Sequence, residues 1–191
     1  KQIDSTINGI LVYKLELENC FNKKSPLWIQ QKLKNRGVET FNNLDDFLNL
    51  IILEYGSTIT SSLFNVNQET YKLERLTEKG NFNGVKIPEG SIVLRNNNNN
   101  IINVLGNLNF IKNPTNNTSV SLEGIFYDIQ ENSLDLKTIN TQLSFKHLRS
   151  MFIENFEMSF KRLLTLLDLY NQNLIITNFY KTPNRFKKIN E

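Results

Sequence analysis

Apolar positions along this chain fall into two rhythms, one of period two and one of three to four. Residues 10–17 (ILVYKLEL) alternate between Gly9 and Asn19, which predicts a strand. Two short helical patterns follow. The first has Ser25 as its cap, Pro26 in its first turn, Leu27, Trp28, Ile29 and Leu33 turned inward, and Gly37 as its stop. The second starts at Asn43, carries Asp45 and Asp46 at its positive end, and runs through Phe47, Leu48, Ile51 and Ile52 to Gly56. Residues 71–76 read as a further strand. The segment 77–84 (TEKGNFNG) combines charge, glycine and asparagine and places a boundary there, between an N-terminal extension (1–80) and a β-rich α+β domain with a basic C-terminal tail (85–191).

Beyond that boundary period two prevails, with strands expected at 91–95, 101–105, 108–111, 119–130 and 133–137, the last two joined by a tight turn at Glu131 and Asn132. From Ser144 the spacing changes. Phe145, Leu148, Phe152, Phe156, Phe160, Leu163, Leu164 and Leu167 recur every three to four positions and predict a helix, although 163–169 also fits a buried strand. Residues 173–180 (NLIITNFY) form a last strand, and 181–191 a polar, basic tail. The expected class is α+β, a small antiparallel sheet packed by one long helix, with an N-terminal α/β appendage.

The 191 residues suffice for one full core, or for a core plus a sizeable appendage. The longest apolar runs, such as 48–53 and 163–167, stop far short of the ~20 residues a membrane span needs, and the first eight residues show no signal core or presequence pattern. A single cysteine, Cys20, excludes an internal disulfide and a cysteine-based zinc site.

Composition adds an origin. The chain has no alanine and 30 asparagines, so codons rich in G and C have given way to AT-rich ones, a pressure on the gene and not on the fold. On that reading Asn96 to Asn100 are drift in a surface loop. The net charge of +3 is unevenly spread: residues 146–191 hold eight Lys/Arg against four Asp/Glu, while 1–145 hold 14 against 15. A basic end on a neutral body is either a footprint for phosphate or a solvated surface.

Candidate chemistry is sparse. His147 is the only histidine and has no nucleophile signature beside it, so no two-histidine metal site exists and no triad is suggested. Glycines 80, 84, 90, 106 and 124 form neither a phosphate loop nor a dinucleotide fingerprint. The aromatic pairs Phe126–Tyr127 and Phe179–Tyr180 fit core packing or base stacking. No catalysis, cofactor, metal or small-molecule substrate is expected.

One ordered set of motifs carries a resemblance. Ile87-Pro88-Glu89-Gly90 precedes Ile92, Val93 and Leu94; an arm at 101–108 contains Gly106; Ile125, Tyr127 and Ile129 alternate ahead of Asn132, Leu134 and Leu136. Then come Arg149-Ser150-Met151-Phe152-Ile153-Glu154-Asn155, Phe160-Lys161-Arg162, and residues 173–176 running on to Pro183. In this order they resemble the first domain of bacterial-type ribosomal large-subunit protein six. The resemblance implies a structural constituent of a mitochondrial large ribosomal subunit, in the matrix, bound to ribosomal RNA and neighbouring ribosomal proteins. The AT-rich composition without a membrane span points to the same organellar class. RNA contacts are then expected at Lys146, Arg149, Lys161, Arg162, Lys181, Arg185, Lys187 and Lys188, where Lys and Arg would neutralise phosphate and release counterions. The alternative is a protein-binding α+β subunit of another complex, nuclear or cytoplasmic, with Trp28 and the helices at 25–56 as its contact face.

Overall fold

A computed structural model describes residues 1–19, 24–57, 59–63, 70–82, 84–104, 119–127, 153–171 and 174–183. Its centre is strand β2 (Ile10–Glu18), which lies between β10 (Ile175–Lys181) and β9 (Val120–Tyr127), with β3 (Ile59–Leu63) at the far edge of β9. All pairs in this sheet are antiparallel. A second four-stranded sheet has the order β1 (Asp4–Ser5), β4 (Tyr71–Arg75), β7 (Ile92–Asn96) and β8 (Ile101–Val104). A small hairpin, β5 (Gly80–Phe82) and β6 (Val85–Ile87), completes the strands among the described residues.

The class is α+β, as the sequence implies. Three layers follow from which side chains share a core. Leu11, Leu15 and Leu17 of β2 pack with helices α1 (Leu27–Lys34), α2 (Leu44–Tyr55) and α3 (Ile153–Tyr170). On the opposite face of the same strand, Ile10 and Val12 pack with Tyr71, Leu73, Ile92 and Leu94 of the second sheet. That sheet's outer face is covered in turn by the β5–β6 hairpin, through Leu76, Ile87, Val93 and Val104. The segment at 77–84 therefore sits between β4 and β7, which pair with each other, and strands from both sides of it alternate in the central sheet.

Local chemistry explains the helices. The Asn43 side chain accepts from the Asp45 N–H at 2.9 Å, and α2 ends at Gly56 in the left-handed region, φ 71°. Such a cap is worth about 1 kcal/mol, so Asn43→Ala should lower unfolding free energy by about that amount in a denaturant titration. A change below ~0.3 kcal/mol would mean that solvent satisfies those N–H groups equally well. Helix α1 departs from expectation. Its N-cap is Pro26, without a side-chain cap, because the Ser25 hydroxyl donates instead to the buried Asp46 carboxylate, which also accepts from the N–H groups of Phe41 and Asn42. Only Ile29 and Leu33 of α1 are fully buried; Leu27 is 68% exposed and Trp28 38%, so these two do not face inward.

Residues 163–169 are helix, continuous with Ile153. Phe156, Phe160, Leu163 and Leu167 put the stripe of α3 on the central sheet, and the missing side chain of Gly124 is what lets the Phe160 ring lie against β9. The asparagine run is an ordered turn, not a loose loop. The Asn96 side chain accepts from the N–H groups of Asn98 and Asn100, Asn97 holds Thr70, and Asn99 takes the left-handed conformation at φ 60° that asparagine tolerates. The strands expected at 108–111 and 133–137, the turn at 131–132, the helix start at 144–152, Cys20 and His147 lie outside the described residues.

Candidate functional site

Alternation in β2 would ordinarily send Lys14 and Glu16 to water. Here both faces of the strand are covered, so they end up between the two sheets, 2% and 1% exposed. Register aligns polar partners with them. Tyr180, Lys14, Glu123 and Thr60 form one row across β10, β2, β9 and β3, and Asn178, Glu16 and Ser121 lie in the next inward-facing row. Directly opposed residues of antiparallel strands project to the same face, so the rows collect their polar groups in one layer.

The layer contains two linked carboxylate sites. The Lys14 ammonium contacts Glu123 Oε1 at 2.7 Å, with both side chains 3% exposed, and also donates to the Ser121 hydroxyl. Asn103, from β8 of the facing sheet, donates to Glu123 Oε2. Glu16 accepts from the Tyr71 hydroxyl and, at 2.9 Å, from Asn178 Nδ2. Lys14 Nζ lies 4.8 Å from the centroid of the Tyr71 ring, whose edge-on neighbour is Tyr180 at 4.7 Å. Burial pushes the Tyr71 phenol far above its ordinary range, reinforced by its hydrogen bond to Glu16 and the charge of that carboxylate. Tyr71 is therefore a fixed donor and not a base. One cation and two carboxylates share the layer: the Lys14 ammonium donates to Ser121 and Glu123, and the carboxylates also accept from the neutral donors Asn103, Tyr71 and Asn178. Among the described residues no group of three or more His, Cys, Asp or Glu is placed to hold a metal.

The helix-side face of β2 carries a second feature. Tyr13 donates to Glu157 Oε1 at 2.8 Å, and its ring contacts Phe156, Phe160 and Phe179 at centroid distances of 5.0, 5.4 and 5.2 Å. Burial, then the bond to Glu157 and its charge, raise the Tyr13 phenol above its usual range, so this hydroxyl is protonated too. Beside it lies a groove of about 440 Å³ lined by Lys1, Gln2, Tyr13, Glu157, Lys181 and Pro183, among others.

Of the basic residues expected to touch RNA, Lys161, Arg162 and Lys181 are among the described residues. Lys181 is exposed at the groove. Lys161 is exposed on α3, while its neighbour Arg162 is half-buried, with Nε 3.4 Å from Glu54 of α2. Lys146, Arg149, Arg185, Lys187 and Lys188 lie outside the described residues. Trp28 stands at the surface of α1, its indole N–H donating to the Tyr170 hydroxyl at 2.8 Å. The residues missed on sequence grounds are Lys14, Glu16 and Glu123. Their one signal was charge inside strands otherwise rich in large apolar residues, a pattern equally expected of a strand with one wet face.

No family model matches this chain. Short stretches of it are similar to bacterial proteins named phenylalanine–tRNA ligase beta subunit. Identity is 38% over 56 residues in Bacillus subtilis (strain 168), 46% over 44 in Rickettsia typhi, and 48% over 40 in the Aster yellows witches'-broom phytoplasma. These stretches are 29%, 23% and 21% of the chain and 7%, 5% and 5% of the respective relatives. They overturn the resemblance to ribosomal large-subunit protein six. The fold adds a physical reason: β2 and β3 of the supposed extension are interleaved with β9 and β10 in one sheet, where that resemblance treated residues 1–84 as an appendage. The sequence similarity that stands is partial and runs to the beta subunit of phenylalanine–tRNA ligase.

Proposed function

We propose that this chain is a non-catalytic α+β module of a phenylalanine–tRNA ligase of the beta-subunit type, which works by holding neighbouring protein and RNA. The observation that carries the reading is the agreement of the partial matches, all to proteins of the same name, at 38–48% identity. The site between the sheets supports a binding role over a bond-making one, since its ammonium and carboxylates are engaged with fixed partners. The exposed Leu27 and Trp28 offer apolar surface for a neighbouring protein, in keeping with a subunit of a larger complex. The alanine-free composition supports an AT-rich organellar gene, and we place the assembly in a mitochondrion on that ground.

The test is native purification of the tagged chain from its source cells, with and without nuclease. The expected result is a nuclease-resistant complex containing the remaining polypeptides of a phenylalanine–tRNA ligase, and phenylalanine-specific tRNA charging in that fraction. Sedimentation with a large ribosomal subunit, or release by nuclease without any ligase polypeptide, would overturn the reading.

A further inference from the structure

We propose that the polar layer between the two sheets is a binding site for a primary ammonium group, and that the chain's own Lys14 is its resident ligand. A primary alkylammonium ion of matching length is the ligand that takes the site when the lysine stem is shortened. The site is interior to the chain and does not depend on the module reading.

Three observations converge on it. First, the groups around Lys14 Nζ are of the kinds that select a cationic N–H donor. Glu123 Oε1 lies at 2.7 Å, the Ser121 hydroxyl accepts a second hydrogen bond, and the centroid of the Tyr71 ring is 4.8 Å away. A charge, a neutral acceptor and a π face together recognise an ammonium group. Calcium or magnesium would need a fuller set of oxygens than this. Second, Glu123 and Tyr71 are each held by something other than the lysine. Asn103 of β8 donates to the second oxygen of Glu123, and Tyr71 is fixed by its bond to Glu16 and by the perpendicular ring of Tyr180 at 4.7 Å. The cage therefore keeps its shape without Lys14. Third, the place is closed to solvent: Lys14 is 2% exposed, and Ser121, Glu123 and Tyr71 are 0%, 2% and 2% exposed. Beyond Cβ a lysine side chain has the shape of n-propylammonium, so Lys14→Ala leaves an enclosed space matched to that ion, with an uncompensated carboxylate at its end. Enclosed cavities made by truncation take up small molecules that fit them. While Lys14 is in place the site is full, and no external amine enters.

The experiment follows thermal unfolding of the purified Lys14→Ala chain by circular dichroism. Relative to sodium chloride at equal ionic strength, n-propylammonium chloride at about 0.1 M should raise the melting temperature by about 5–10 °C, given a dissociation constant on the order of 1 mM for so small a ligand. n-Propanol, equal in size but uncharged, and tetramethylammonium, which has no N–H, should leave it unmoved. The wild-type chain should not respond to n-propylammonium, and Lys14→Ala combined with Glu123→Leu should lose the response. Lys14→Met keeps a stem reaching as far as Cε and lacks the terminal nitrogen, so the ammonium ion itself should raise its melting temperature in the same way. Where Lys14→Ala shows no cooperative transition under any of these conditions, the Lys14→Met result decides. The proposal is overturned if the variant that folds melts alike in its ammonium salt and in sodium chloride. It is equally overturned if n-propanol matches n-propylammonium, or if the wild-type chain or the Glu123→Leu double variant responds as strongly as Lys14→Ala.

Discussion

Replacing Glu123 by alanine is expected to cost about 3–5 kcal/mol of unfolding free energy, because it leaves the Lys14 ammonium buried without its counter-charge. In a chain of 191 residues that amounts to a fall in melting temperature of roughly 6–20 °C. Lys14→Ala should cost a similar amount, for the converse reason. The informative comparison is the pair Lys14→Met with Glu123→Leu, which removes both charges and keeps volume. Buried ion pairs are often replaceable by apolar residues at little net cost, since the desolvation penalty disappears with the charges. Here Ser121 and Asn103 would lose their partners, so the double variant should recover more than half of the single-variant loss without recovering all of it. Calorimetric melts of the three variants decide the matter. If Glu123→Ala costs under ~1 kcal/mol, water reaches the space between the sheets and the pair behaves as a surface salt bridge.

Gly124→Ala should produce the second large effect. A Cβ built at Gly124 would lie 2.3 Å from Phe160 Cε2, 2.5 Å from Phe160 Cζ and 3.1 Å from Phe156 Cε2. The Phe160 ring is only 4% exposed and sits among Tyr13 and Phe156, so it has little room to give way, and overpacking of this kind costs about 1–3 kcal/mol. In a Phe160→Leu background the clash is relieved, and the same substitution should become neutral or slightly stabilising, since glycine within a strand costs about 0.5–1 kcal/mol relative to alanine. The two changes should therefore couple by more than 1 kcal/mol in a double-mutant cycle. Strict additivity would show that α3 shifts bodily over β9 and that the close approach at Gly124 is not a fixed feature of the packing.

Much of the local structure was legible in the chain itself. Asn43, Asp45 and Gly56 mark the ends of α2 through hydrogen bonds made within a few residues, and such signals do not depend on distant partners. The three-to-four spacing of Phe156, Phe160, Leu163 and Leu167 gave α3, and the alternation of residues 10–17 gave β2. Ser25 misled because its hydroxyl had a stronger, more distant acceptor in the buried Asp46. Leu27 and Trp28 misled because hydrophobicity says only that a residue can be buried; the short α1 turns those two positions away from α2 and the central sheet.

Sequence alone determined the class of the fold and the ends of α2, because each depends on residue type or short-range spacing. The candidate site was decided by tertiary structure. Lys14 and Glu16 occupy every second position of a strand, a pattern that fits a wet face and a buried polar layer equally well. Only the arrival of β4, β7 and β8 on that face distinguishes the two. Likewise, Tyr13 meets the ring of Phe179, 166 positions later in the numbering, only because β-sheet register brings the two strands together. Strand pairing across such separations is set by the packing of the whole core, and no local pattern encodes it.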